Sequence, residues 1–292
     1  MTFLFEKSLD EDINFLSAVW SQLNSDTANI SAEMRGEKCQ PYNPWHCLQM
    51  ASKKPIENPL LTSMDYEKGS LITDPYQLNE MQELLTQQGK DITADIPVPP
   101  EEWPVMIDIA RHRPDAISSF LEGRALLKAS PFLDELYTNL IEFVVPLDRE
   151  KPSGYDSNLA RGVIFRTFPR GRTGLLAGFQ LAHGLGHQVG MSLFSIDTIF
   201  KSDPKALIFY EVRHDKRTAN HAFISTVALA FMTMFSHAIY GKGNNPYIED
   251  EHVAGYAEYL PDALDAAIRS IEYSCELTDF GQQTMKGLSS LL

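Results

Sequence analysis

The spacing of apolar residues along the chain predicts a mostly helical protein. The segment 8–25 begins with a capping serine and acidic residues, and its apolar positions recur at helical intervals. Segments 113–127 and 130–143 show the same periodicity, and 220–240 is apolar on nearly every face, as in a helix buried in a core. Two further helices are predicted near the end of the chain, around 249–259 and 261–276.

A short strand and a glycine-rich helix are predicted before the apolar helix. The stretch "RGVIFRTF" (161–168) alternates enough to form a strand, and 174–194 has helical character. Gly178, Gly184, Gly186 and Gly190 lie within this second segment, and each of them disfavours a helix by about 1 kcal/mol relative to alanine. We therefore expect it to pack closely against a neighbour or to break. The predicted fold is α+β and mostly helical, with a helical core that carries an HxxxH helix and a short strand just before it.

The N-terminal third has weaker patterning. Prolines punctuate 36–64, which predicts loop-rich structure, and 76–89 predicts a helix. The proline-broken stretch "DIPVPPEEWPV" (95–105) is the best candidate for a boundary. We expect residues 1–100 to form a helical and loop-rich region that helps cover the site, and 101–292 to form the catalytic core. The alternative is one continuous domain.

Composition narrows the class of protein. The chain has 292 residues, 43% of them hydrophobic and 22% charged, and a net charge of −14, values that are typical of a globular protein. The acidic balance disfavours nucleic-acid binding, which requires a basic surface. The start "MTFLFEKSLDEDINFL" is acidic rather than basic, and we expect no membrane-spanning run, which favours a cytoplasmic protein. Three cysteines without CxxC spacing indicate no disulfide framework.

Two histidines in "AHGLGHQVG" (182–190) are the strongest candidates for chemistry. His183 and His187 lie four residues apart, which places both on one face of a helix at the spacing that can hold one metal ion. The common metal-binding version has a glutamate general base after the first histidine, where this chain has Gly184. The pattern is open to three interpretations: a metal site without a hydrolytic base, a site for other chemistry, or a pair of core histidines.

A metal held by this pair needs a third protein ligand. Candidates follow the motif in the chain: His214, His221, His237, His252, Glu211 and Asp215. His221 begins the most apolar helix, so it can present its ring to a neighbouring helix from a fixed position. Arg213 and Arg217 lie nearby, and a carboxylate cosubstrate on the same metal would supply the anion that a buried arginine requires. The alternative for both arginines is a solvated salt-bridge loop.

An ordered set of motifs in the C-terminal half resembles a known family. The pieces are "VVPL", "RGVIFRT", "LAHGLGH", "RHDKRTANHAF" and "LTDFGQQTMKGL", spread over about 140–292. This set resembles the HExxH-motif proteins associated with ribosomally made peptide natural products, which are described as 2-oxoglutarate-dependent peptide β-hydroxylases. The resemblance implies an iron oxygenase whose substrate is a precursor peptide, with 2-oxoglutarate as cosubstrate.

The resemblance also assigns roles to individual residues. It implies that His183 and His187 bind ferrous iron and that His221, shortly downstream, is the third ligand. It further implies that Arg217 holds the far carboxylate of 2-oxoglutarate, with Arg213 as a second cofactor-binding arginine.

Two positions depart from the family pattern. Asp215 and Arg217 match its D-x-R stretch, but Thr218 stands where the family commonly has proline. Gly184 stands where the family normally has glutamate, so the chain could be inactive or could catalyse a different reaction.

Two other functions are compatible with the sequence. One is a metal-free peptide-binding protein of the same fold, and the other is a zinc peptidase-like hydrolase. A zinc hydrolase needs a base to deprotonate the metal-bound water, which a glycine cannot supply. An iron oxygenase obtains its oxidant from dioxygen and an oxo acid instead, so the loss of the glutamate counts less against it.

Overall fold

The computed structural model describes residues 9–36, 38, 41–44, 46–47, 50, 66–72, 114–147, 154–156, 160–168, 174–241 and 251–292. The helices are α1 (Leu9–Arg35), α2 (Pro114–Leu127), α3 (Pro131–Leu140), α4 (Gly174–Leu193), α5 (Ala219–Tyr240), α6 (Glu251–Ser274) and α7 (Asp279–Ser289). The strands are β1 (Ser70–Leu71), β2 (Phe143–Leu147), β3 (Gly154–Tyr155), β4 (Val163–Thr167), β5 (Leu207–Tyr210) and β6 (Asp215–Thr218). The fold is α+β and mostly helical, as the hydrophobic pattern predicts.

A small mixed sheet carries the strand that precedes the HxxxH helix. Its order is β1-β2-β4-β3, with β1, β2 and β4 parallel and β3 antiparallel to β4. Every residue of β2 and of β4 is buried, as is usual for parallel strands covered on both faces. Strand β4 contacts α4. A second sheet is the hairpin β5-β6, which leads directly into α5.

Helix α4 is the centre of the helical layer and packs between α2 and α5. Its glycines permit the close approach: a Cβ on Gly178 would lie 2.4 Å from the Phe235 ring, and one on Gly186 would lie 2.6 Å from the Cα of Ala228. The helix is continuous from Gly174 to Leu193. Close packing, rather than a break, therefore accounts for the glycine-rich sequence.

The segment 130–143, predicted as one helix, divides into α3 and the start of β2. Ser130 caps α3 by accepting a hydrogen bond from the Leu133 amide, and the helix ends at Leu140. Ile141 is already extended, with φ −90° and ψ 120°. The predicted helix through 143 is wrong because a short, continuous apolar run that is buried on both faces has no periodicity that separates strand from helix.

The two helices predicted at 249–259 and 261–276 are one helix, α6, which continues through Pro261. The expected break is absent because the helix is held by tertiary packing on α5 and β5. Buried apolar residues recur at helical spacing from just before the proline onward: Leu260, Leu264, Ile268 and Ile271. Packing of this face offsets the one backbone hydrogen bond that proline cannot make.

Helix α5 has 22 residues and is long and apolar enough to cross a membrane by length and composition. The expectation that no run reaches this length is therefore wrong for α5. However, 67% of its apolar window is buried inside the fold, where it packs against α4 and α6. This is the environment predicted for a core helix.

The N-terminal helix shares the core of the C-terminal half. Ile13, Leu16 and Trp20 on α1 are buried in the same cluster as the apolar face of α3, and the two helices are in contact. The predicted boundary at residue 100 and the predicted helix 76–89 lie outside the described residues.

Candidate functional site

The two motif histidines lie side by side on α4. Their ring centroids are 4.5 Å apart at an interplanar angle of 62°. Burial lowers the pKa of His183 well below its ordinary value, and the adjacent His187 lowers it further. Burial, followed by the charge of Arg166, lowers the pKa of His187 to about 3. Both rings are therefore neutral near pH 7, which is the form of histidine that binds metals.

Nε2 of His187 is the atom that most clearly suggests a bound ligand. The side chain is 24% exposed, yet its Nε2 is buried and has no hydrogen-bond partner in the part of the chain that the structure describes. Buried polar atoms without partners are uncommon in folded proteins, and a bound ion or water accounts for many of them. An unpartnered imidazole nitrogen beside a second neutral imidazole fits a divalent first-row metal.

Gly184 leaves no space for a side chain such as the glutamate of an HExxH motif. A Cβ at this position would lie 2.6 Å from Cγ2 of Ile164 and 2.9 Å from Nη2 of Arg166. Both neighbours belong to β4, which packs against this side of α4. The general base is missing from the helix, and the space beside residue 184 is filled by the sheet.

Arg166 is fully buried and anchored at several points. Its Nε donates to the Gln180 carbonyl at 3.1 Å, and its Nη1 donates to the Phe165 carbonyl at 2.6 Å. Its Nη2 donates to Oδ2 of Asp156 at 2.5 Å, in an ion pair whose side chains are each 1% exposed. Glycine is required opposite the arginine on β3, because a Cβ on Gly154 would lie 2.0 Å from Nη1.

Asp156 brings a carboxylate to the histidine pair from just after β3. The same Oδ2 that pairs with Arg166 lies 3.3 Å from Nδ1 of His187. Burial raises the pKa of Asp156 to about 6, although Arg166 opposes this shift. Its Oδ1 is buried without a partner among the described residues. Sequence analysis missed both Asp156 and Arg166, although an arginine inside an apolar strand signals a buried anion nearby.

The hairpin β5-β6 contributes cationic groups. Nη1 of Arg217 donates to Oγ of Ser225 on α5 at 3.3 Å, and its Nε lies 3.4 Å from Oδ1 of Asp215. The charges of Arg217 and Arg213 both contribute to the low pKa of His187, after burial and Arg166. The structure therefore brings both arginines close enough to act electrostatically on the histidine pair, while Arg217 also makes the predicted salt bridge.

His221 lies near the pair but does not join it in a ready-made metal centre. Its Nδ1 is 2.8 Å from Oγ1 of Thr218, and its charge is one of those that lower the pKa of His187. Within the described residues, no group of three or more histidine, cysteine or acidic side chains is arranged to hold a metal ion. The ligand role of His221 stays a prediction.

The packing of α4 on α5 sets the level of His221 relative to the pair. Gly186 lies against Ala228 and Gly190 lies against Ile224, so the two helices run antiparallel. Residue 221 is therefore level with the end of α4, about 9 Å along the axis beyond His187 at 1.5 Å per residue.

The other candidate ligands are dispersed over the described chain. His214 is exposed at the tip of the hairpin with a left-handed φ of 52°, and His237 is exposed near the end of α5. Glu211 is half-exposed and lies 3.7 Å from Arg269, and Asp215 pairs with Arg217. The side chain of His252 lies outside the described residues.

Fold and site together define a mostly helical α+β protein with a neutral histidine pair, a buried arginine–aspartate pair behind it, and two arginines nearby. No model of a known protein family and no curated protein matches the chain.

Proposed function

We propose that the chain is a cytoplasmic iron- and 2-oxoglutarate-dependent oxygenase that hydroxylates a side chain of a ribosomally made precursor peptide. The observation that supports this proposal is the pair of neutral histidines, one with a buried, unpartnered Nε2. His183 and His187 would hold the iron, with His221 as the third ligand. Bound iron, with dioxygen and 2-oxoglutarate, would supply the oxidant for hydroxylation of an unactivated carbon.

The arginines of the hairpin fit a dicarboxylate cosubstrate. Arg217 has a planar guanidinium suited to bidentate binding of a carboxylate, and its side chain is 30% exposed. Arg213 is exposed on the same hairpin, and its charge acts on both motif histidines, which leaves that charge available to an anion. Together they would orient the far carboxylate of 2-oxoglutarate, while the ligand histidines keep the reacting end in place.

The lack of a base at residue 184 favours oxygenation over hydrolysis. A hydrolase must remove a proton from the metal-bound water, whereas Gly184 has no side chain and Arg166 fills the space beside it. One observation favours zinc hydrolysis as a second candidate: Asp156 is a buried carboxylate with an unpartnered Oδ1 close to His187. Its Oδ2 forms an ion pair with Arg166, which makes Asp156 a weaker base.

Elemental analysis and metal titration test the proposal. Protein purified without chelators should bind iron(II), and addition of 2-oxoglutarate without oxygen should give a weak visible charge-transfer band. His183→Ala should abolish both, while His237→Ala, which changes an exposed histidine on another helix, should leave both intact. Admission of oxygen should then release succinate, even without peptide.

Three outcomes contradict the oxygenase. Bound zinc with cleavage of candidate precursor peptides would indicate the hydrolase. Peptide affinity without any metal would indicate a metal-free binding protein. Wild-type and His183→Ala proteins that bind iron equally would exclude this histidine pair as the metal site.

A further inference from the structure

We infer that Asp156 is a positioning residue, which holds His187 in the tautomer whose Nε2 can bind a metal ion; this role rests on the proposed metal site. The carboxylate reaches the ring from the sheet, whereas His187 itself lies on α4. Nδ1 of His187 and Oδ2 of Asp156 are 3.3 Å apart, slightly longer than a typical N–H···O hydrogen bond.

The hydrogen-bonding capacity of Asp156 and His187 determines which tautomer His187 adopts. An ionised carboxylate can only accept hydrogen bonds, so the nitrogen that faces it must carry the hydrogen. A neutral imidazole carries one ring hydrogen, which leaves the lone pair on Nε2. That nitrogen is the buried atom without a partner among the described residues. Metal-binding histidines commonly donate their other N–H to a carboxylate in this way.

Arg166 fixes the position of this carboxylate. It holds Oδ2 of Asp156 and is itself anchored to the Gln180 carbonyl on α4 and to the Phe165 carbonyl on β4. The aspartate is therefore tied to the same helix that carries the histidines. Space for the guanidinium exists because residues 154 and 184 are both glycine.

This arrangement gives the site a carboxylate different from that of the HExxH motif. The motif glutamate would follow the first histidine on the helix and act as a base. Here the carboxylate meets the second histidine from the sheet, and its ion pair with Arg166 suits it to orient a ring rather than to remove a proton.

The test uses the metal-free chain of 292 residues labelled with ¹⁵N-histidine. Long-range ¹H–¹⁵N spectra distinguish the Nδ1–H and Nε2–H tautomers, and His187→Ala identifies the His187 signals. We expect the Nδ1–H form in the wild type. An Nε2–H form would overturn the inference, since Asp156 would then face an unprotonated nitrogen.

Variants test whether Asp156 is the cause. Asp156→Ala should shift His187 toward Nε2–H and weaken cobalt(II) binding by about 10- to 100-fold. Because that variant removes the carboxylate that pairs with the buried Arg166 guanidinium, Asp156→Ala/Arg166→Met provides a charge-balanced alternative. Glu142→Ala removes another buried carboxylate, next to β2. It should change neither the tautomer of His187 nor the affinity for cobalt(II).

The outcomes separate this inference from the proposed function. A double variant that retains both the Nδ1–H tautomer and wild-type cobalt affinity would overturn the role of Asp156 and leave the metal site standing. A wild type with the Nδ1–H tautomer but no affinity for iron(II) or cobalt(II) would contradict the proposed function. Asp156 would then set the tautomer of His187, but not for metal binding.

Discussion

The guanidinium of Arg166 lies where a side chain at Gly184 would have to go. A Cβ on residue 184 would be 2.9 Å from Nη2 of Arg166 and 2.6 Å from Cγ2 of Ile164. The buried position of Arg166 in β4 therefore requires a glycine at residue 184 in the HxxxH segment. Because the arginine also holds Asp156, the glycine at residue 184 accompanies a carboxylate that reaches the histidines from the sheet.

Gly184→Ala should destabilise the protein, although alanine is the better helix former by about 1 kcal/mol. The added methyl group must displace Ile164 and Arg166, and overpacking of this kind typically costs about 1–3 kcal/mol. Urea denaturation measures the free energy of unfolding. We also expect weaker cobalt(II) binding, since displacement of Arg166 moves Asp156.

Gly190→Ala on the same helix is the matched control. The nearest atom to its Cβ would be the Cα of Ile224 at 3.2 Å, a tight but less severe contact than at residue 184. We expect a smaller loss of stability and unchanged cobalt affinity. Gly184→Ala with wild-type stability and affinity would show that β4 does not confine this position.

Arg217→Met should raise the dissociation constant for 2-oxoglutarate by about 10- to 100-fold, because a hydrogen bond to a charged group contributes about 1.5–3 kcal/mol. Iron(II) binding should be unchanged, since Arg217 is not a ligand. Titrations with 2-oxoglutarate and with iron(II), followed by the charge-transfer band, measure the two affinities. Lys216→Met removes an exposed charge from the adjacent position and should have little effect. If both variants change the dissociation constant for 2-oxoglutarate equally, Arg217 forms the salt bridge with Asp215 but does not bind the cosubstrate.

Local pattern was sufficient for most of the helices. Apolar periodicity predicted α2, α4 and α5, whereas the glycines of α4 left open either close packing or a break. It failed where tertiary packing decides the outcome, at the strand after Ile141 and at Pro261 inside α6. In both cases buried contacts override the local preference.

The candidate site was predictable only in part. The four-residue spacing of His183 and His187 fixes their proximity within one helix. The link from Asp156 to His187 depends instead on the register of β3 against β4, in which Tyr155 pairs with Phe165, and register cannot be read from the sequence of a two-residue strand. The position of His221 relative to the pair likewise depends on how α4 and α5 pack, which their residue spacing does not specify.

His221→Ala distinguishes a metal ligand from a helix-start residue. If His221 is the third ligand, cobalt(II) affinity should fall by on the order of 100-fold or more, since losing a ligand exceeds the effect of losing an outer partner. If His221 only interacts with Thr218 at the start of α5, the free energy of unfolding should fall while cobalt affinity stays constant. His214→Ala, at an exposed position of the hairpin, is the control for both measurements.

His46 should make the protein sensitive to acid independently of the histidine pair. The residue is 2% exposed, and its Nδ1 accepts a hydrogen bond from the Asn43 amide at 3.1 Å. Burial, followed by the charge of Arg35, lowers the pKa of His46 to about 4, whereas the unfolded chain has an ordinary histidine pKa near 6.5. Protonation of Nδ1 would also remove the acceptor for the Asn43 amide.

The direction of the pH effect follows from proton uptake. Between about pH 6.5 and 4 the unfolded chain binds a proton at this position and the folded chain does not, so stability is present above that window and is lost as the pH falls through it. At 1.36 kcal/mol per pKa unit, the contribution lost between pH 6.5 and 5 is about 2 kcal/mol. His46→Gln should therefore be less stable than the wild type at pH 7.5, and the difference should shrink by about this amount at pH 5. His237→Gln, at an exposed histidine, should show no such change, and a pH-independent difference for His46→Gln would mean that His46 titrates normally in the folded protein.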